Sequence, residues 1–241
     1  MIKSYIHQIE SLIKKIETTE LQAIEQAAEK IVESINKGGI VQVFGCGHSH
    51  MLGEEVFYRA GGLVPVQPIF IEELMLHKGA ERSSKLERSH HYMDTFSDQL
   101  DIRSEDVLIV ASTSGRNPVP IDVALHGSKQ GAFVVGVTSL LYNQTQPSRH
   151  KNGKLLADVA DLVINNHTKP GDGLLQSGDL SFGPSSSVIG IMIMNAIMAG
   201  VIEKLTHQGK TPPIFKSGNI DGSDNHNEQL IKQYKDRIRL F

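Results

Sequence analysis

Two short apolar runs, the first broken only by Gln42, each pass straight into a turn built of glycine and hydroxyl residues, and nothing else in the chain restricts its fold so much. Residues 40–44 lead into Gly45-Cys46-Gly47-His48-Ser49, and residues 107–111 into Ser112-Thr113-Ser114-Gly115. A strand without polar alternation is buried on both faces, which requires a parallel sheet covered by helices. Further apolar runs at 64–71, 133–138 and 162–164 alternate with helical patterns at 49–60, 118–130 and 188–206. The expected fold class is α/β, a three-layer αβα sandwich with a mainly parallel five-stranded sheet of flavodoxin-like type. Pro65 and Pro68 place the 64–71 strand at an edge, since proline cannot donate to a ladder.

A leading helical segment precedes the sheet. Ile6, Ile9, Ile13, Ile16, Ile24, Ala27, Ile31 and Ile35 recur at three- and four-residue steps, until Lys37-Gly38-Gly39 stops the pattern. Such a helix packs on a neighbouring element or on a second subunit. With 241 residues, one domain is expected: a helical segment at 2–36, an α/β core at 38–207, and a tail with a final helix at 209–241. Three stretches break the pattern and read as long loops: 72–106, 167–187 and 209–227.

Charge and composition narrow the function. Lys plus Arg is 24 against 27 Asp plus Glu, a net charge of −3. Without a basic stretch, nucleic acid is not the expected partner. Trp is absent and aromatics are 5%, so no stacking platform for single strands is expected either. Cys46 is the single cysteine, which precludes an intrachain disulfide. The first ten residues show no unbroken apolar core or cleavage site, so no signal peptide is read and a cytoplasmic location is expected. Residues 188–202 would span roughly 22 Å, short of a bilayer core, and Asn195 interrupts them, so a buried helix rather than a membrane span is expected.

Chemistry is sought where the strands end. Gly45 and Gly47 allow a tight turn with close backbone approach, and Ser49 stands where the next helix begins. G-x-G-x-S there suits a phosphate held by Gly47, His48 and Ser49 through amides and a hydroxyl. A dinucleotide fingerprint needs glycine where His50 stands, and a nucleophile elbow needs it where Met51 stands. Ser112, Thr113, Ser114 and Gly115 form a second nest of donors, with Asn117 as helix N-cap and Pro118 as first helical residue. No P-loop lysine is present, so NTP hydrolysis is not expected.

These paired loops, with 134–139 and 157–164, resemble the SIS, or sugar isomerase, domain over about residues 35–205. The whole chain looks most like a stand-alone branch of SIS proteins near the phosphoheptose isomerases. The resemblance implies that Ser49, Ser112, Thr113 and Ser114 hold a sugar phosphate. It also implies a homodimer or homotetramer with sites at the subunit interface. In phosphoheptose isomerases and related etherases a catalytic glutamate lies about three turns down the helix after the first loop; here that place holds Arg59.

Aldose–ketose isomerisation needs an acid–base pair, and Glu55, Glu87 and His226 are the candidates, with His48 a fourth. Acids in a first helical turn, such as Glu54 and Glu55, also stabilise that turn through its dipole. His48-x-His50 and His90-His91 lack a second ligand pair at fixed spacing, so no metal is expected, and no cofactor. The expected function is binding and isomerisation of a phosphorylated sugar in carbohydrate metabolism. The alternatives are a phosphosugar lyase or etherase, a non-catalytic phosphosugar sensor, and a nucleotide-cofactor enzyme in which Glu72 serves a ribose.

Overall fold

The computed structural model describes residues 1–241. Two helices open the chain, α1 (Ile2–Thr19) and α2 (Leu21–Asn36), with the break at Glu20. Five strands then alternate with helices: β1 (Val41–Gly45), β2 (Val66–Ile69), β3 (Val107–Ala111), β4 (Phe133–Thr138) and β5 (Leu162–Asn165). All pair in parallel, in the order β2-β1-β3-β4-β5. β2 is an edge strand, as Pro68 within it and Pro65 just before it require.

The core follows from the pleat. Alternate residues of one strand point to opposite faces. Val41, Val43, Ile109, Val135, Val137 and Ile164 face a layer formed by α2, α3 (Met51–Val56) and α7 (Ser186–His207). Phe44, Leu108, Val110 and Val134 face α5 (Pro118–Lys129) and the connection after β2. Neither face meets solvent, so the strands carry no polar alternation.

Three expectations need correction. The helix after the first loop is much shorter than 49–60. A 3-10 turn at Gly47–His50 runs into α3, which ends at Val56, and Phe57 is already extended. Tyr58 then takes a left-handed φ of 43°, which no helix continues through. The 167–187 stretch is not plain loop: β6 (Gly173–Ser177) and β7 (Leu180–Pro184) form an antiparallel hairpin. The 72–106 connection contains α4 (Ala80–Glu87) and several 3-10 turns.

α7 is also longer than expected. Its 22 residues reach about 33 Å, enough by length and composition to cross a membrane. Its Ile189, Ile193, Met194, Ile197, Met198, Val201 and Leu205 are nevertheless buried in the core. The chain ends in α8 (Asp224–Tyr234) and a segment whose Arg237 guanidinium reaches the buried Asp106 carboxylate at 2.7 Å. Asp106 also accepts the Ile40 and Arg103 amides at 3.0 Å, clasping the tail to the starts of β1 and β3.

Candidate functional site

Parallel pairing brings both loops to one edge. Gly45 lies beside Ala111 in register, so the first and second loops leave the sheet as neighbours. Each turn depends on its glycines. A Cβ on Gly45 would stand 2.5 Å from the Ser49 backbone, and one on Gly115 2.5 Å from Thr138 Oγ1. Gly115 also has φ +59°, a conformation that L side chains rarely adopt. The turn closes with the Gly115 N–H donating to Ser112 Oγ at 3.3 Å.

A small cleft opens between these loops and α7. His48, Ser49, Ser112, Thr113, Asn166, Ser186 and Ser187 supply its polar wall, and Leu52 and Gly190 its floor. Its free volume is about 20 Å³, the room of one water, so it takes an oxygen or two while a larger group stands at its mouth. A hollow of about 350 Å³ lies at the opposite end of the sheet, among Lys30, Glu33, Asp106 and Asp161, away from both loops.

Sequence reasoning missed three contributors. Asn166 follows β5 and donates through Nδ2 to Thr113 Oγ1 at 3.3 Å. Ser186 and Ser187 open α7, whose start is tied down from a distance. Asp172 Oδ1 accepts the Ser185 and Ser186 amides at 2.9 Å, and Oδ2 accepts the Ser186 hydroxyl at 2.6 Å. The only sequence signal was a Pro-Ser-Ser-Ser run ahead of an apolar helix, too common to select.

Of the expected phosphate ligands, His48, Ser49, Ser112 and Thr113 line the cleft. Gly47, Ser114, Gly115 and Asn117 belong to the same two loops but do not line it. Asn117 makes no capping bond to α5. Its side chain turns away, donating to Glu87 Oε1 and accepting from Arg149 NH1, both at 2.9 Å.

The acid–base candidates separate widely. Glu87 ends α4 and reaches the second loop through Asn117; burial pushes its carboxyl above the ordinary carboxylate range, against the Asn117 bond and the Arg88 and Arg149 charges. Glu55 is not in the cleft lining. It is paired to Arg59, and Asn195 Nδ2 donates to it at 3.0 Å. His226 hydrogen-bonds the Ile214 carbonyl at 2.9 Å. Ile214 bridges Leu63, just before β2 enters the sheet, so His226 sits at the end away from the loops.

No three His, Cys, Asp or Glu side chains gather at metal-ligating distance. His50 bonds the Gly47 carbonyl, His90 packs edge-on against His150, and His91 meets Asp94 at 3.2 Å. The Cys46 thiol is buried, and burial pushes its pKa up, with the Glu87 charge adding to this. It stays a thiol and fills the turn.

The family model described as SIS domain matches residues 4–139. A UPF0309 protein of Halalkalibacterium halodurans is 56% identical over 243 residues, covering 100% of this chain and 97% of that protein. A UPF0309 protein of Geobacillus thermodenitrificans is 52% identical, covering 100% of this chain and 98% of its own length. Among solved structures, the phosphoheptose isomerase of Neisseria gonorrhoeae superposes with a TM-score of 0.57 at 15% identity, over 84% of this chain and 97% of that one. At that identity the likeness is one of fold.

Proposed function

The chain belongs to the SIS domain family, and on that premise we propose that it binds a phosphorylated sugar between its two hydroxyl-rich loops and isomerises it between aldose and ketose forms. One observation carries the reading: Ser49, Ser112, Thr113, Ser186 and Ser187, from three separate segments, line one cleft at the carboxyl ends of β1 and β3. Hydroxyls converging from several strand ends suit the oxygens of an ester phosphate, and a parallel sheet binds ligands at this edge. Gly47, Ser114 and Gly115 frame the same turns, and His48 stands exposed at the mouth.

In the isomerisation, a proton leaves the carbon beside the carbonyl and returns to the former carbonyl carbon, while a hydroxyl proton crosses between the two oxygens. Glu87 is the acid–base group best placed for the carbon-to-carbon transfer. It is the candidate carboxylate tied to a phosphate loop, and burial has moved it toward the working range of a general base. His48 is the candidate for the oxygen-to-oxygen transfer. Glu55 is paired to Arg59 and tied to neither phosphate loop, so this role is not assigned to it.

The paired Glu55–Arg59, with α3 ending before Arg59, favours a second reading, a phosphosugar sensor without turnover. A panel of sugar phosphates separates the two. Isomer formation seen by NMR supports the enzyme, and melting shifts without turnover support the sensor. Ser49→Ala with Ser187→Ala should weaken sugar-phosphate binding by about 1–3 kcal/mol, the cost of lost charge-assisted hydrogen bonds. Unchanged affinity by calorimetry rejects the site.

The same proposal includes self-association. α1 has Ile2, Ile6 and Ile13 exposed at 81%, 48% and 38%, and Ile16 is its one buried residue. Beside it lies a groove of about 820 Å³ lined by Leu21, Ile24, Met192, Ala196 and Ala199. A second copy covers both and takes this apolar surface out of water.

A further inference from the structure

Positive charge is concentrated on the far side of the second loop from the cleft, and the phosphate reading does not use it. Three segments meet at the start of α5: the end of α4, the last residues of the second loop, and the chain after α6 (Leu140–Thr145). They bring Arg88, Arg116 and Arg149 together. The Arg149 N–H donates to the Arg116 carbonyl at 2.8 Å, and its guanidinium to Asn117 Oδ1 at 2.9 Å. Arg116 gives Nε–H to the Pro147 carbonyl and NH1 to Gln146 Oε1, both at 2.9 Å. These partners are neutral oxygens, not carboxylates.

Glu87 is the one acid held within this group, through the amide of Asn117. Three guanidinium charges thus stand against one carboxylate, in a chain whose net charge is −3. The repulsion is felt in the resting protein. The Arg149 guanidinium is held below its usual value by burial, then by the Arg116 and Arg88 charges, with only Glu87 opposing. The positive end of α5 adds to the excess. Pro118 and Pro120 have no N–H, so this helix start offers an anion few backbone donors. Side-chain guanidiniums must supply the hydrogen bonds there.

We infer that Arg88 and Arg149, with Arg116 behind them, form a second anion subsite across the loop from the phosphate cleft. The substrate is then a phosphorylated sugar that carries another acidic group, a carboxylate or a second phosphate. The planar guanidinium fork matches either group in a bidentate contact. The inference rests on the phosphosugar reading and adds the class of sugar to it.

Calorimetric titration with inorganic phosphate, glucose 6-phosphate, 6-phosphogluconate and fructose 1,6-bisphosphate tests it. At least one of the last two should bind tenfold or more tighter than glucose 6-phosphate, and which one does so tells carboxylate from phosphate. Arg88→Ala combined with Arg149→Ala should reduce that preference to within about twofold and leave inorganic phosphate affinity unchanged. Arg88 is exposed, so Arg88→Ala alone keeps the fold and should still lower the preference. A preference that is absent from the outset, or that survives the double substitution, overturns the inference and leaves the phosphosugar reading standing. An equal loss of inorganic phosphate affinity also overturns it, by assigning the arginines to the first phosphate. Binding of none of the four ligands removes both.

Discussion

Glu87 shows how one side chain takes its chemistry from surroundings that its neighbours in sequence do not reveal. It ends a charged helix, Ala80–Glu87, that reads as solvated, yet the fold turns it against Asn117. Burial raises its folded pKa above the ordinary carboxylate value. The sign of the linkage follows: a raised folded pKa stabilises the fold below the unfolded pKa, and that contribution is lost as pH rises through the folded value. Glu87→Gln removes the ionisation while keeping the shape. Its stability relative to the parent should therefore rise as pH climbs from the ordinary carboxylate range through the raised folded value, where the parent's buried carboxyl ionises. Thermal melts of both proteins across that range check it, and a difference that does not change with pH would show Glu87 to be solvated. Gly115 is a second residue governed by its place. With φ +59° and a Cβ position 2.5 Å from Thr138 Oγ1, Gly115→Ala should cost about 1–3 kcal/mol in urea unfolding.

Elements differ in how plainly they announce themselves. β3 and β4 stand where their apolar runs put them, because burial on both faces leaves nothing to compete with the pattern. α3 stops short of its pattern. Apolar and charged residues continue to residue 60, but Phe57 turns to stack on Phe241 at 5.8 Å, and Tyr58 packs on Phe215 at 5.0 Å. Those contacts come from the far end of the chain, so no local signal could foretell them. The hairpin Gly173–Pro184 was equally hidden, since its exposed strand Leu180–Pro184 has no buried face to write a period-two pattern. The start of α7 depends on Asp172, which caps it from 13 and 14 residues upstream. Asp172→Ala should cost about 0.5–2 kcal/mol of stability. It should also weaken sugar-phosphate binding by freeing Ser186 and Ser187, although Asp172 does not line the cleft. Unfolding curves and calorimetry on the same variant report both effects.

For the whole molecule, the unfinished surface lies along α1 and α7. An 18-residue helix that buries one side chain gains little from its own chain, and Val188 on α7 is 43% exposed. Under the proposed self-association, light scattering should find an assembly larger than 26.5 kDa. Ile6→Glu with Ile13→Glu should reduce it to the single-chain mass, and a single-chain mass in the parent would exclude the pairing. The sequence alone determined the sheet, its edge strand at the prolines, both glycine turns and the nearness of the two hydroxyl loops. Those depend on runs of adjacent residues and on local backbone freedom. Tertiary structure alone decided that Glu55 meets Asn195 of α7, that His226 lies at the far end, that Asn117 bridges Glu87 and Arg149 rather than capping α5, and that α7 supplies hydroxyls to the cleft. Each of these is a meeting of side chains from distant segments, and a side chain's partner is set by the packing of whole elements, which no short stretch of chain encodes.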